Sequence, residues 1–256
     1  FGYLKSVVAN RLSGHAWYAG VFVFGKYIGK FLLQLLDYLF FGIDGDIPLM
    51  QEIIGPDVVH ACGVVFMGMG EPLANYAKIM DAIRTMIEPQ PNGLGMSARQ
   101  ITVSTVGLVP GIVKLAEEDL PLTFALSLHA PDDQLRDELI PVNSKWKVDE
   151  ALDAAKAYYD KTGRRVSIEY ALIHNMNDHD WRAQLLADKL NDRGKGWVHV
   201  NPIPLNPTPG SVWTSSTKEQ INSFIDILDK NGIPTTLRDT RGKEIDGACG
   251  QLAAAN

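Results

Sequence analysis

The sequence predicts an α/β fold of the open, partial TIM-like barrel type, and three observations predict it. From about residue 58 onward, apolar strand-like runs alternate with amphipathic helix-like runs, the rhythm of βαβ units. The strand runs are apolar almost throughout, as expected of parallel strands covered on both faces. Glycines, Ser104, Ser127, His129, Asn201 and Asn206 fall at or just past the C-terminal ends of those runs, where barrel enzymes build their sites. A chain of 256 residues, 46% of them hydrophobic, is long enough to bury one such core.

Taken in order, residues 1–57 form an unassigned N-terminal segment and residues 58–256 the barrel with a C-terminal cysteine loop. Within the N-terminal segment, "WYAGVFVFGKYIGKFLLQLLDYLFFGI" is broken by Lys26, Lys30, Gln34 and Asp37 into runs shorter than the roughly 18 to 20 residues of a spanning helix, so no membrane role is expected. It also lacks the charged start and small-residue cleavage site of a secretory signal. Strands are predicted at 58–68, 99–107, 122–130, 165–173 and 197–205. Helices are predicted near 76–88, 110–118, 148–161, 179–192 and 217–230. Gly163, Gly194 and Gly232 stop the last three.

Charge and motifs narrow the function. A net charge of -6 and a pI of about 5.5 give no bulk attraction for nucleic acid or anionic membrane. RNA contact would have to come from local patches: Lys145 with Lys147, Arg164 with Arg165, or Arg238 with Arg241 and Lys243. Two cysteines make no disulfide framework, which points to a reducing cytoplasm. Neither G-x-G-x-x-G nor G-x-x-x-x-G-K-[ST] occurs, so phosphate-cradling nucleotide folds lose support. In "GMGEP", residues 68–72, glycine lets backbone approach a ligand while Glu71 adds negative charge, which suits a cation such as an amino group. A strand-to-helix turn closed by Pro72 explains the same residues. Taken singly, Ser104 and Ser127 read as caps or turn hydroxyls, His129 as a structural histidine, Asn206 as a turn residue beside prolines, and Cys62 as a buried hydrophobe within a strand.

Their joint order is more specific. The blocks "VVFMGMGEPLANY", "ITVSTVGLVPGIVKLA", "ALSLHAPDDQLRDELIPVN", "RRVSIEYALI", "VNPIPLNPTPGS" and "RDTRGKEIDGACGQLA" resemble, over residues 58–256 and in the same order, the radical S-adenosylmethionine methyltransferases that methylate carbon 2 of an adenine in 23S rRNA and in some tRNAs. The resemblance implies that Gly70 and Glu71 hold the methionyl amino group of S-adenosylmethionine. It implies that Ser104, the Ser127–Leu128–His129 trio and Asn206 make its other contacts. It also implies that Cys249 accepts a methyl group before a radical step carries it to the ring. The chemistry agrees: carbon 2 has no nucleophilic lone pair, so a cofactor radical is needed, whereas a thiolate attacks a sulfonium methyl readily. The adenine must be unstacked, as loop RNA permits. Arg241 and Lys243 would either favour the thiolate or meet RNA phosphates, or form a solvated basic loop. The implied partners are 23S rRNA, tRNA, S-adenosylmethionine and an external electron donor, acting on a cytoplasmic monomer.

One departure is serious. The family holds a [4Fe-4S] cluster on a C-x-x-x-C-x-x-C loop after the first barrel strand, and neither that loop nor that strand is recognisable here. The general base and second catalytic cysteine are unplaced, and Cys62 is no substitute. No metal ligand is assigned. The expectation is therefore a methyltransferase incomplete or altered on its N-terminal side and inactive as it stands. The alternative is a cluster-free descendant that binds S-adenosylmethionine or RNA.

Overall fold

The computed structural model describes residues 21–24, 63–67, 70–206 and 211–238. The chain divides into two compact units, one of residues 1–104 and 120–123 and the other of residues 105–119 and 124–256.

In the first unit β1 (Val21–Phe24) pairs antiparallel with β2 (Gly63–Phe66), Val21 opposite Phe66, and β2 pairs parallel with β3 (Ile101–Thr105), Val64 opposite Ile101. Helix α1 (Tyr76–Ile87) buries Ile79, Met80, Ile83 and Met86, the i, i+3/i+4 stripe of a helix laid on a core. Strand β1 lies in the stretch the sequence left unassigned.

The second unit holds α2 (Val109–Glu117), β4 (Thr123–Ser127), α3 (Asp133–Leu139), α4 (Val148–Thr162), β5 (Val166–Leu172), α5 (Asp180–Asn191), β6 (Val198–Pro204) and α6 (Lys218–Lys230). Strands β4, β5 and β6 pair parallel, with Ser127 opposite Glu169 and Glu169 opposite Asn201. Side chains alternate across a strand, so this register sorts two faces. One face is apolar and lies under helices: Phe124 of β4 stacks on Tyr158 of α4 with centroids 4.8 Å apart, and Tyr170 of β5 on Phe224 of α6 at 4.9 Å. The other face carries Ser127, Ser167, Glu169, His199 and Asn201. The strands are thus covered on one face by helices and polar on the other, more amphipathic than their apolar run suggests.

The helices follow their end signals. Thr217 caps α6 by accepting from the Gln220 N–H while Gln220 reaches back to the Thr217 N–H, and Gly163 closes α4 in the left-handed region at φ 65°. Helix α3 was not separated from its loop by the sequence; Asp132 starts it, its Oδ1 accepting from the Leu135 N–H at 3.0 Å. Helix α5 packs on α6, and α2 on α4. Among the described residues no helix is long and apolar enough to cross a membrane.

Candidate functional site

In the first unit, Gly70 and Glu71 come four and five residues after the end of β2, and Ser104 is buried near the end of β3. Glu71 is extended, and its Oε1 accepts from the Leu73 N–H at 3.0 Å, capping a 3-10 turn over Pro72–Asn75. The turn reading of "GMGEP" is therefore realised at Glu71 and Pro72, while Gly68 and Met69 lie outside the described residues.

The second unit gathers its share at the C-terminal ends of β4, β5 and β6. His129 leaves β4 with a positive φ of 59°, a conformation uncommon outside glycine. Its Nδ1 accepts from the Ala171 N–H at 3.0 Å, so in the neutral ring the proton sits on Nε2, which is a donor. Burial, then the nearby Arg136 charge, holds its pKa down at about 4. At neutral pH His129 is therefore an uncharged N–H donor and not a base. Leu128, wholly buried, donates its N–H to the Glu169 carbonyl at 3.0 Å and accepts at its own carbonyl from Arg136 Nε at 3.0 Å. Ser127 stands in register with Glu169 on the polar face.

Two side chains that the sequence reading did not single out hold this loop. Arg136, fully buried on α3, donates Nη1 to Asn143 Oδ1 at 2.7 Å and Nη2 to the Val106 carbonyl at 2.6 Å, besides its bond to Leu128. Burial lowers its pKa to about 10, against the raising effect of Asp133 and Asp137, so it remains a cation. Asn177, after β5, donates Nδ2 to the carbonyls of His129 at 2.8 Å and Ala171 at 2.6 Å and accepts at Oδ1 from the Ile173 N–H at 2.7 Å. Under them, the "STVG" turn is closed by Thr105 Oγ1, which accepts from the N–H groups of Gly107 and Leu108. Gly107 sits at φ 104°, and a Cβ there would lie 3.2 Å from Ala151 Cβ and 3.3 Å from Arg136 Nη2. Only glycine fits both demands.

Asn206 lies one residue past Leu205, whose N–H donates to the Leu172 carbonyl at 3.3 Å, next along the strand from Ala171. Ser127, Leu128, His129 and Asn206 therefore belong to one end of one sheet. The Asn206 side-chain oxygen is buried and has no hydrogen-bond partner among the described residues. A buried acceptor left unmet costs about 1–3 kcal/mol, which makes it a natural point for a ligand donor. Cys249 and Cys62 both lie outside the described residues.

The third missed feature is a cross-strand row. Glu169 Oε1 accepts from Ser167 Oγ at 2.8 Å and Asn201 Nδ2 at 2.9 Å, and Oε2 from Arg238 Nη1 at 3.0 Å. The signal was present in "RVSIEYALI", where Ser167 and Glu169 occupy alternate positions of an otherwise apolar strand.

The profile of the radical SAM superfamily matches residues 54–185, just over half of the chain. The chain belongs to the radical SAM superfamily. A dual-specificity RNA methyltransferase RlmN of Kocuria rhizophila is 69% identical over 190 residues, 74% of this chain and 50% of that one; its counterpart in Kineococcus radiotolerans is 65% identical over 191 residues, 75% and 49%. The chain thus spans about half the length of these relatives. The crystal structure of a radical SAM methyltransferase from Sphaerobacter thermophilus matches with a TM-score of 0.69 and 46% identity, over 73% of this chain and 53% of that one. A domain of a pyruvate-formate lyase-activating enzyme from Bacteroides vulgatus, 17% identical with a TM-score of 0.53, shares the fold. The α/β fold class and the family read from the sequence are both those found.

The radical SAM residues present fit one of the two groups the superfamily uses. An unmet acceptor at Asn206 and a neutral N–H donor at His129 are the kind of groups that hold a polar cofactor. A [4Fe-4S] cluster does not fit. It needs three thiolates close together, these 256 residues contain two cysteines far apart in sequence, and among the described residues no three His, Cys, Asp or Glu side chains are placed to hold a metal.

Proposed function

We propose that this chain is the S-adenosylmethionine-binding part of a radical SAM methyltransferase directed at carbon 2 of an adenine in 23S rRNA and tRNA, with Cys249 as methyl carrier. The observation that supports this most directly is the 69% identity over 190 residues to a relative named as a dual-specificity RNA methyltransferase. When bound, S-adenosylmethionine supplies an activated methyl group on a sulfonium. Glu71 at the β2 exit meets the cofactor's ammonium, with Gly70 allowing close backbone approach. Ser104, Ser127 and Leu128 line its path. His129 donates from Nε2 without ever carrying charge near neutral pH, so it orients the cofactor and does not compete for its protons. Asn206 accepts through the oxygen that is unpaired among the described residues. The Cys249 thiolate would be the nucleophile that takes the methyl from the sulfonium, with S-adenosylhomocysteine as the leaving group.

For the chain acting alone, the cysteine count favours a second reading, a binding module for S-adenosylmethionine or RNA with no turnover. The test is calorimetric titration with S-adenosylmethionine, paired with anaerobic reconstitution in iron and sulfide and an assay for 5'-deoxyadenosine. We expect binding, no brown chromophore and no 5'-deoxyadenosine. Asn206→Ala should weaken binding about tenfold, the worth of one hydrogen bond. Absence of binding would overturn the cofactor assignments; cleavage of S-adenosylmethionine would show that cluster ligands reach this chain from a partner.

A further inference from the structure

We infer that Trp181 and Trp213 form a stacking platform for unpaired nucleotides of the RNA substrate, placed at the rim of the cofactor end of the sheet; this rests on the RNA reading given above. The two indoles contrast with Trp197, which is fully buried and whose Nε1 donates to the Leu190 carbonyl at 3.1 Å. Trp181 is 52% exposed and Trp213 41%. Burying an indole is among the larger gains open to a fold, so two left half in water at one corner mark a surface that a partner completes.

Both rings are held in place. The Arg182 guanidinium carbon lies 4.1 Å over the Trp181 ring centroid, a cation–π contact. Arg182 is itself fixed, Nε donating to Asp132 Oδ2 at 2.8 Å and Nη1 to the Met176 carbonyl at 2.6 Å. The His179 ring stands 6.4 Å from the indole, tilted by 36°. Trp213 is fixed through its backbone: its N–H donates to Ser211 Oγ at 3.1 Å, the Thr214 carbonyl accepts from the His174 N–H at 2.9 Å, and Ser215 bridges to Ile173. The two supports meet on α6, where Gln220 Oε1 lies 2.9 Å from His174 Nδ1 and Ser223 Oγ donates to Asp180 Oδ1 at 2.7 Å. Residues three apart share a helix face, so both tryptophans belong to one corner. That corner is tied to the β4 exit, through Arg182 and Asp132 and through Asn177, which donates to the His129 carbonyl.

The chemistry of the corner selects a nucleobase. His174, Asn175 and His179 accompany the indoles, so the surface is not the continuous apolar core of a protein interface. Separate aromatic planes beside hydrogen-bonding groups match bases, which carry a flat face and polar edges. Charge does not draw phosphates here: Arg182 is paired with Asp132, and Lys218 is followed by Glu219, in a chain of net charge -6. Contact is therefore made with bases, which a duplex hides and an unpaired strand offers. An adenine taken out of its stack leaves its neighbours with an uncovered face, and the platform covers it.

The test uses the whole chain and a hairpin RNA whose loop carries 2-aminopurine in place of one adenine, titrated by fluorescence, with calorimetric binding of S-adenosylmethionine as the control. The wild type should quench the probe and bind it with only a shallow fall in affinity as salt rises. Trp181→Ala and Trp213→Ala should each weaken RNA binding about tenfold with S-adenosylmethionine affinity unchanged, and Trp181→Phe should restore most of the loss. Val113→Ala, at an exposed apolar residue of α2, should bind as the wild type does. RNA binding unchanged in both alanine variants would overturn the platform and leave the RNA reading standing. No RNA binding by the wild type would overturn both together. A steep salt dependence would replace stacking by phosphate contact, and alanine variants that keep RNA binding but lose self-association in sedimentation would assign the corner to a second copy of this chain. Trp213→Ala keeps the test decisive if removing the ring beneath Arg182 unsettles the fold.

Discussion

Replacing Arg136 by methionine keeps most of the side-chain volume and removes every donor, which makes its cost calculable. Three short hydrogen bonds are lost, to the carbonyls of Leu128 and Val106 and to the Asn143 side-chain oxygen, together with a longer one of 3.5 Å to the Ser127 carbonyl, while the Leu128 carbonyl keeps the Ala130 N–H at 2.8 Å. At about 2 kcal/mol for each of the three short bonds from a charged donor, the loss is about 6 kcal/mol. Against this, the native cation is itself uncomfortable: its pKa is pulled from 12.5 to about 10, so removing the charge returns about 3 kcal/mol. The net expectation is a destabilisation of about 3 kcal/mol, read from urea unfolding followed by tryptophan fluorescence as a lower midpoint at unchanged slope. Arg136→Lys should recover little, since one ammonium cannot span three acceptors set around a planar guanidinium. A methionine variant as stable as the wild type would refute the reasoning, because it would mean that the carbonyl ends of β4 and of the "STVG" turn find other donors.

His129 makes the fold sensitive to acid. Its folded pKa of about 4 lies below the 6.5 of the free ring, so the unfolded chain takes up the extra proton; this stability is whole above pH 6.5 and drains away as pH falls toward 4, by up to about 3 kcal/mol. His129→Gln should flatten that part of a stability–pH profile. Gly107→Ala should cost about 2 kcal/mol or more, since it adds a strained φ to two contacts near 3.2 Å, whereas Gly194→Ala, at φ 98° in open space, should cost only about 1 kcal/mol; thermal melts of the two decide it. Asn206→Ala should leave stability unchanged or raise it, because it deletes an acceptor with no partner among the described residues, even as it weakens cofactor binding; a marked loss of stability would show that the oxygen is satisfied in the free protein.

The strands and long helices were legible because periodicity and end signals act locally. The five predicted strands bracket β2 to β6, and the five predicted helices match α1, α2, α4, α5 and α6 to within one or two residues at most ends. Helix α3 was hidden because its seven residues lie in a polar stretch, and its place is decided by tertiary partners: Asp132 bonded to Arg182, and Arg136 drawn inward. β1 was hidden because four residues in an irregular apolar stretch carry no period of their own; only pairing with β2 defines them. At the candidate site, the residues at strand ends could be named from their position. The tautomer of His129, the orphaned oxygen of Asn206 and the Glu169–Arg238 pair could not, since each depends on a neighbour 30 or more positions away or on the absence of one.

The bond from Asn177 to the His129 carbonyl spans 48 residues, and it runs backward along the chain. On a ribosome adding about 5 to 20 residues per second, the β4 exit would be synthesised several seconds before the side chain that secures it. During that interval the positive φ at His129 has no counterweight, and the buried carbonyls that Asn177 will meet face water or a chaperone. Nascent protein should therefore carry its cofactor loop in a protease-sensitive form until β5 and the turn after it have emerged, so that slow codons between residues 129 and 177 would lengthen a window of vulnerability that leaves no trace in the finished fold.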